Sequence, residues 1–193
     1  GRRCVERARG LGDVYKRQLA SRLDFYPDHA DGTASEGRSA EVKIDAFHDF
    51  ERSRIVGEFI FRGDKKDSGR RITEARQAYF RSPFAGFDFF VGNRQEFWGK
   101  AESKNVVDVI NQSDAAANEG KSGKLGAPSI SAERYLDIGD LQLWYISSFR
   151  EKTFNDSDAH PSSGVPLSSA QYARKDGKDA DDFAVRLSSF AGD

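Results

Sequence analysis

Methionine is absent from this chain, and cysteine occurs once, at position 4. A lone Cys4 rules out an intrachain disulfide and a cysteine-based zinc cluster, and cysteine-poor sequence suits an oxidising compartment such as the periplasm. Long apolar runs are also missing. No window approaches the ~18 to 20 consecutive apolar residues that a membrane-crossing helix needs, so a helical membrane protein is excluded. The three histidines, His29, His48 and His160, are scattered without metal-ligand spacing. No Gly-x-Ser-x-Gly stretch offers a nucleophile. These absences predict no enzyme, no cofactor and no metal. Without a methionine the chain has no start residue of its own, so a signal peptide would not be visible in it.

The front of the chain reads differently from the rest. Residues 9–18, Arg9 to Gln18, resemble the translation of a transposase-type sequencing adapter, which accounts for the order of ten residues and not merely for their charge. We therefore set residues 1–18 apart as non-native and expect them to be dispensable and clear of the fold. The competing reading, a basic nucleic-acid-binding arm, would rest on Arg2, Arg3, Arg7, Arg9, Lys16 and Arg17. Setting the segment aside removes six basic and two acidic side chains from totals of 30 and 31, leaving 24 against 29. A net-acidic remainder predicts no nucleic-acid partner.

What the remainder has in abundance is aromatic and alternating sequence. Fifteen Phe and six Tyr favour strands, and 18 Gly suit many turns. In residues 40–49, Ala40, Val42, Ile44 and Ala46 share one side, while Glu41, Lys43, Asp45 and Asp49 share the other, with Phe47 as the exception. Phe87, Phe89 and Val91 oppose Asp88, Gly92, Arg94 and Glu96; Leu141, Leu143 and Tyr145 oppose Gln142 and Ser148; Phe183, Val185 and Leu187 oppose Arg186 and Ser188. Less regular strands are predicted over residues 20–26, 55–62, 71–81 and 129–137. The connectors alternate as well: 50–53, 82–86 and 137–140 are tight, whereas 27–37, 63–70, 99–128 and 151–180 are long and polar. That rhythm predicts an all-β fold, an antiparallel up-and-down meander forming part of a transmembrane β-barrel, with short turns at the periplasm and long loops outside. Phe50, Phe80, Phe84 and Phe87 beside the short turns, with Phe61, Phe97, Trp98 and Phe149 beside the long ones, would form its aromatic girdles.

From Val91-Gly92-Asn93-Arg94-Gln95-Glu96-Phe97-Trp98-Gly99-Lys100-Ala101-Glu102-Ser103 onward, the sequence resembles a family of largely uncharacterised, porin-like outer-membrane β-barrel proteins of proteobacteria. The likeness continues through Val106-Val107-Asp108-Val109-Ile110-Asn111-Gln112-Ser113-Asp114, Lys124-Leu125-Gly126-Ala127-Pro128 and Phe149-Arg150-Glu151-Lys152-Thr153-Phe154, and spans most of residues 19–193. It implies one partial barrel domain over 19–193, truncated at both ends, within a longer barrel whose further strands lie on the C-terminal side. It brings no known substrate.

These readings converge on a bacterial outer-membrane channel for small hydrophilic solutes, with membrane lipid and solute as partners. Glu41, Lys43, Asp45, Arg94 and Glu96 would line the lumen, while Val42, Ile44, Phe89 and Val91 would face lipid. The connector 99–128 is long for a segment without a role, and Val106, Val107, Val109 and Ile110 are too apolar for a freely solvated loop. It is expected to fold back onto the wall. It would then either narrow the pore, with Lys100, Glu102, Lys104, Asp108 and Asn111 beside the solute, or brace the wall. Counting Glu41, Asp45, Asp49, Asp88 and Glu96 against Lys43 and Arg94 predicts a mildly acidic wall that passes cations or neutral solutes before anions. The alternative is a soluble or surface β-sandwich that binds a carbohydrate or a protein.

Overall fold

The computed structural model describes residues 16–26, 37–65, 67–98, 109–117, 123–154 and 168–189. Eight strands form a single sheet: β1 (Lys16–Tyr26), β2 (Gly37–Asp49), β3 (Arg54–Asp64), β4 (Ile72–Phe84), β5 (Phe87–Arg94), β6 (Ala127–Leu136), β7 (Gly139–Ile146) and β8 (Asp182–Ser189). Each pairs antiparallel with its neighbours in sequence, in the order β1 to β8, so the sheet is an up-and-down meander. Among the described residues it does not close: β1 and β8 are its two edges. The remaining regular structure among them is two single 3-10 turns, Ala115–Ala117 and Gly177–Asp179.

Connections at one end are tight and at the other long, as the sequence predicts. Two of the tight ones are two residues long, 137–138 and Ala85-Gly86, and in the latter φ is 50° and 80°. Two successive positive φ values twist a two-residue hairpin in the same sense as its strands, and the glycine adopts that conformation without steric cost.

Alternation along the strands gives the sheet two unlike faces. On one, here called the open face, apolar side chains are exposed: Val42, Ile44, Ile55, Phe59, Phe61, Phe80, Val91, Ile130, Leu143, Phe183, Val185 and Leu187. On the other, polar and charged side chains are buried: Ser39, Glu41, Arg62, Asp64, Arg76, Ser129, Ser131 and Glu133. Phe61 is 42% exposed and Arg62, the next residue along β3, is 4% exposed. Water-soluble sheets show the reverse order. The largest apolar contact on the polar face is small, joining Ile60, Ile72 and Leu125.

One irregularity interrupts the sheet. Glu58 pairs with Gln77 while Phe59 pairs with Ala75, so Arg76 is an extra residue in β4 opposite β3. A bulge of this kind turns two successive side chains toward the same face, which places Arg76 on the polar side beside Gln77. Its carbonyl, outside the ladder, accepts from the Gly126 amide at 2.8 Å.

The strand β1 begins inside the segment read as non-native. Lys16, Arg17 and Gln18 are in register with Phe47, Ala46 and Asp45 of β2. The expectation that residues 1–18 stand clear of the sheet is corrected for these three; residues 1–15 lie outside the described residues. Backbone pairing explains the extension, since a ladder uses main-chain groups that every non-proline residue carries.

Candidate functional site

Register brings charge together on the polar face. Glu41 of β2 lies opposite Arg62 of β3, and Asp45 lies opposite Glu58. Lys43 reaches Glu58 at 2.7 Å. Arg62 Nη1 reaches Glu41 at 3.4 Å and its Nε donates to the Arg70 carbonyl at 2.6 Å. The second guanidinium nitrogen, Nη2, donates to Asp114 Oδ2 at 2.8 Å.

Asp114 comes from the connector between β5 and β6, and it is the node of the cluster. Besides Arg62, its carboxylate lies 3.6 Å from Arg76 Nη2 and accepts the Thr153 hydroxyl at 2.6 Å. Arg76 also lies 3.9 Å from Glu58. The side chains of Asp114 and Arg76 are wholly shielded from solvent. Desolvating such ions costs several kcal/mol each, and close opposite charges with further hydrogen bonds offset that cost. Beside this node, Arg70 lies 3.5 Å from Asp64, and Asp64 and Asp67 each accept a turn amide, from Asp67 and Arg70 respectively.

The connector is held against the sheet by its own contacts. Asn111 Oδ1 accepts the Glu96 amide at 2.6 Å, and Nδ2 donates to the carbonyls of Arg94 at 2.9 Å and Leu125 at 3.1 Å. Ser113 bridges Lys124, Asp114 bridges Thr153, and Leu125 packs on Ile60 and Ile72. Arg150 donates to the Gly126 carbonyl at 2.9 Å and pairs with Glu74. The described parts of the connector thus lie on the polar face, which they cover.

A second cluster occupies the same face further along. Arg94 lies over the Phe90 ring at 3.7 Å and beside Trp144 at 4.9 Å. It pairs with Glu96 at 2.8 Å and with Glu133, and donates to Ser131 at 3.1 Å. Gln142 donates to Glu133 at 3.2 Å. Stacking on rings leaves the edge of a guanidinium free for planar hydrogen bonding, which a lysine would not reproduce.

Of the side chains singled out in the sequence, Glu41, Lys43 and Asp45 share the polar face with Arg94 and Glu96. Asn111 is buried and engaged with backbone at three points. Lys100, Glu102, Lys104 and Asp108 lie outside the described residues. Sequence reading missed Arg62, Arg76 and Asp114. The period of two carried a signal for Arg62, since it follows Glu58 and Ile60 on the same side. A bulge residue and a loop carboxylate carry none.

Arginines outside the count made from the sequence, Arg54, Arg62 and Arg81, change its balance. Asp49 pairs with Arg54, Asp88 with Arg81 at 2.8 Å, Glu41 with Arg62 and Glu96 with Arg94. Among the described residues Asp45 alone of the five acids counted has no ion pair. No family model, curated protein or solved structure matches the chain.

Proposed function

We propose that this sheet is part of the wall of a porin-like outer-membrane channel that passes small hydrophilic solutes. The observation that carries the reading is the inverted burial: apolar side chains are exposed on one face and ionic ones sheltered on the other. Lipid is the solvent in which an exposed row of Val42, Ile44, Phe59, Phe61 and Val91 is favourable. A β-sandwich would cover that row with a second sheet, and the described residues form one sheet only. Exposed Phe50, Phe80 and Phe84 near the short turns, and Phe61, Phe97 and Phe149 near the long connections, add the rings expected at two water boundaries.

On this reading the polar face looks into the lumen and the covering connector narrows it. Lumen charge is largely paired, with Asp45 the residual acid, so selectivity for cations over anions is slight. The experiment is reconstitution into planar bilayers across a salt gradient. Stepwise conductance with a small cation-side reversal potential is expected. No conductance, or a clear anion preference, overturns the reading.

A further inference from the structure

Described residues of the long connection between β7 and β8, within 149–154 and 168–182, together with Gln112 of the covering connector, border a cavity of about 620 Å³ at that connector's end of the sheet. Three rings border it, Phe149, Phe154 and Tyr172, which are 40%, 41% and 37% exposed. Rings left this open beside a cavity are not core. Phe149 and Tyr172 meet edge to face at 6.3 Å, so their faces are not stacked on one another. Planar polar groups share the lining with the rings: Glu151, hydrogen-bonded to the Tyr172 hydroxyl, with Gln112 and Gln171.

Charge among the side chains that line the cavity cancels, with Glu151 and Asp182 against Lys152 and Arg174. Lys152 lies 5.3 Å from the Phe154 ring, and Arg174 is 3.7 Å from Asp176 and 3.4 Å from Asp181. A cavity with no excess of either sign does not select ions. Apolar faces alongside amide and carboxylate edges match a solute with flat C–H faces and a rim of hydroxyls. The volume is within the usual range of small-molecule sites.

We infer that this cavity is a capture site for a neutral saccharide at the mouth of the solute path. The inference rests on the channel reading only for where the sugar goes next. The cavity is tied to the wall: Thr153, between Lys152 and Phe154, donates to Asp114, and the carbonyl of Gln112 on the cavity's edge accepts the Leu125 amide at 2.8 Å. A ligand seated on the rings is therefore one hydrogen bond from the carboxylate that binds Arg62 and Arg76.

The test is saturation-transfer NMR on the protein in detergent micelles. The probes are a panel of neutral mono- to trisaccharides of gluco, galacto and manno configuration, with glycerol, gluconate and arginine as contrasts. Saturation of ring protons is expected for at least one neutral sugar and for none of the contrasts. Phe154→Ala and Tyr172→Ala should each weaken it about fivefold, the loss of one ring face, while Tyr172→Phe keeps most of it. Tryptophan fluorescence, from Trp98 and Trp144, neither of which lines the cavity, confirms that the variants remain folded. Overturning results are no saccharide signal, a signal that survives both alanine variants, or preferential binding of gluconate or arginine. Bilayer conductance on the same preparation separates the two readings. Conduction without sugar binding sinks this inference alone, and sugar binding without conduction sinks the channel and leaves the site.

Discussion

Two ion pairs on the same face of the sheet have the same length and different surroundings. Arg62 meets Asp114, and Arg81 meets Asp88, each at 2.8 Å. The first lies under the covering connector, with its arginine side chain 2% exposed; the second lies near the short turns, with its arginine 42% exposed. The chemistry is shared and the solvent is not. At the covered end, each charge depends on its partner because water cannot replace it. At the short-turn end water can, and the pair adds little. The connector therefore does more than occupy space over the sheet: it converts ordinary ion pairs into obligatory ones.

Removing the node should break the comparison most sharply. Asp114→Ala leaves Arg62 and Arg76 buried beside each other without their shared carboxylate, and is expected to destabilise the protein by about 3–5 kcal/mol. Urea-dependent unfolding in micelles, followed by tryptophan fluorescence, measures it. A loss below about 1 kcal/mol would mean that water already reaches the cluster.

The open face supplies a third environment with which to sharpen the contrast. Ile44→Lys should cost about 2–4 kcal/mol where that face meets the middle of a bilayer, and under about 0.5 kcal/mol where it meets water. Unfolding from lipid vesicles gives the number. A negligible cost in vesicles would remove lipid as the solvent of this face.

The smallest effect belongs to the exposed pair. Asp88→Ala is expected to change stability by at most about 1 kcal/mol, and most of that should vanish in about 1 M salt. Measured beside Asp114→Ala in the same urea series, it should leave the ranking of the two pairs unchanged as salt rises.

Much of this layout is legible in the sequence, for a physical reason. Strands with unlike faces must alternate, so the period of two by itself separates Val42 and Ile44 from Glu41, Lys43 and Asp45. Loop lengths add the meander. Phe47, which breaks the pattern of its strand, is a polar-face residue lying under Arg54, whose guanidinium is 4.8 Å from the ring. It follows the period in position while departing from it in polarity. Asp114 is not legible, because a loop residue has no period and its partners are 52 and 38 positions away in sequence. Arg76 is hidden for a related reason: a bulge is defined by the partner strand, and nothing in Ala75-Arg76-Gln77-Ala78 marks which residue is the extra one.

That extra residue bears on how the sheet tolerates insertion and deletion. A one-residue change inside a strand ordinarily turns every later side chain to the opposite face. At position 76 it does not. Ile72 and Glu74 lie before the bulge, and Gln77, Tyr79 and Arg81 after it, in the phase that an uninterrupted strand lacking Arg76 would have. Deleting that one codon would restore a regular ladder with every other β4 residue on its present face. It would also remove a buried cation from Asp114 and the carbonyl that holds Gly126. The position is thus a place where two of the contacts that hold the connector could be gained or lost in a single step, with the register of the wall unchanged.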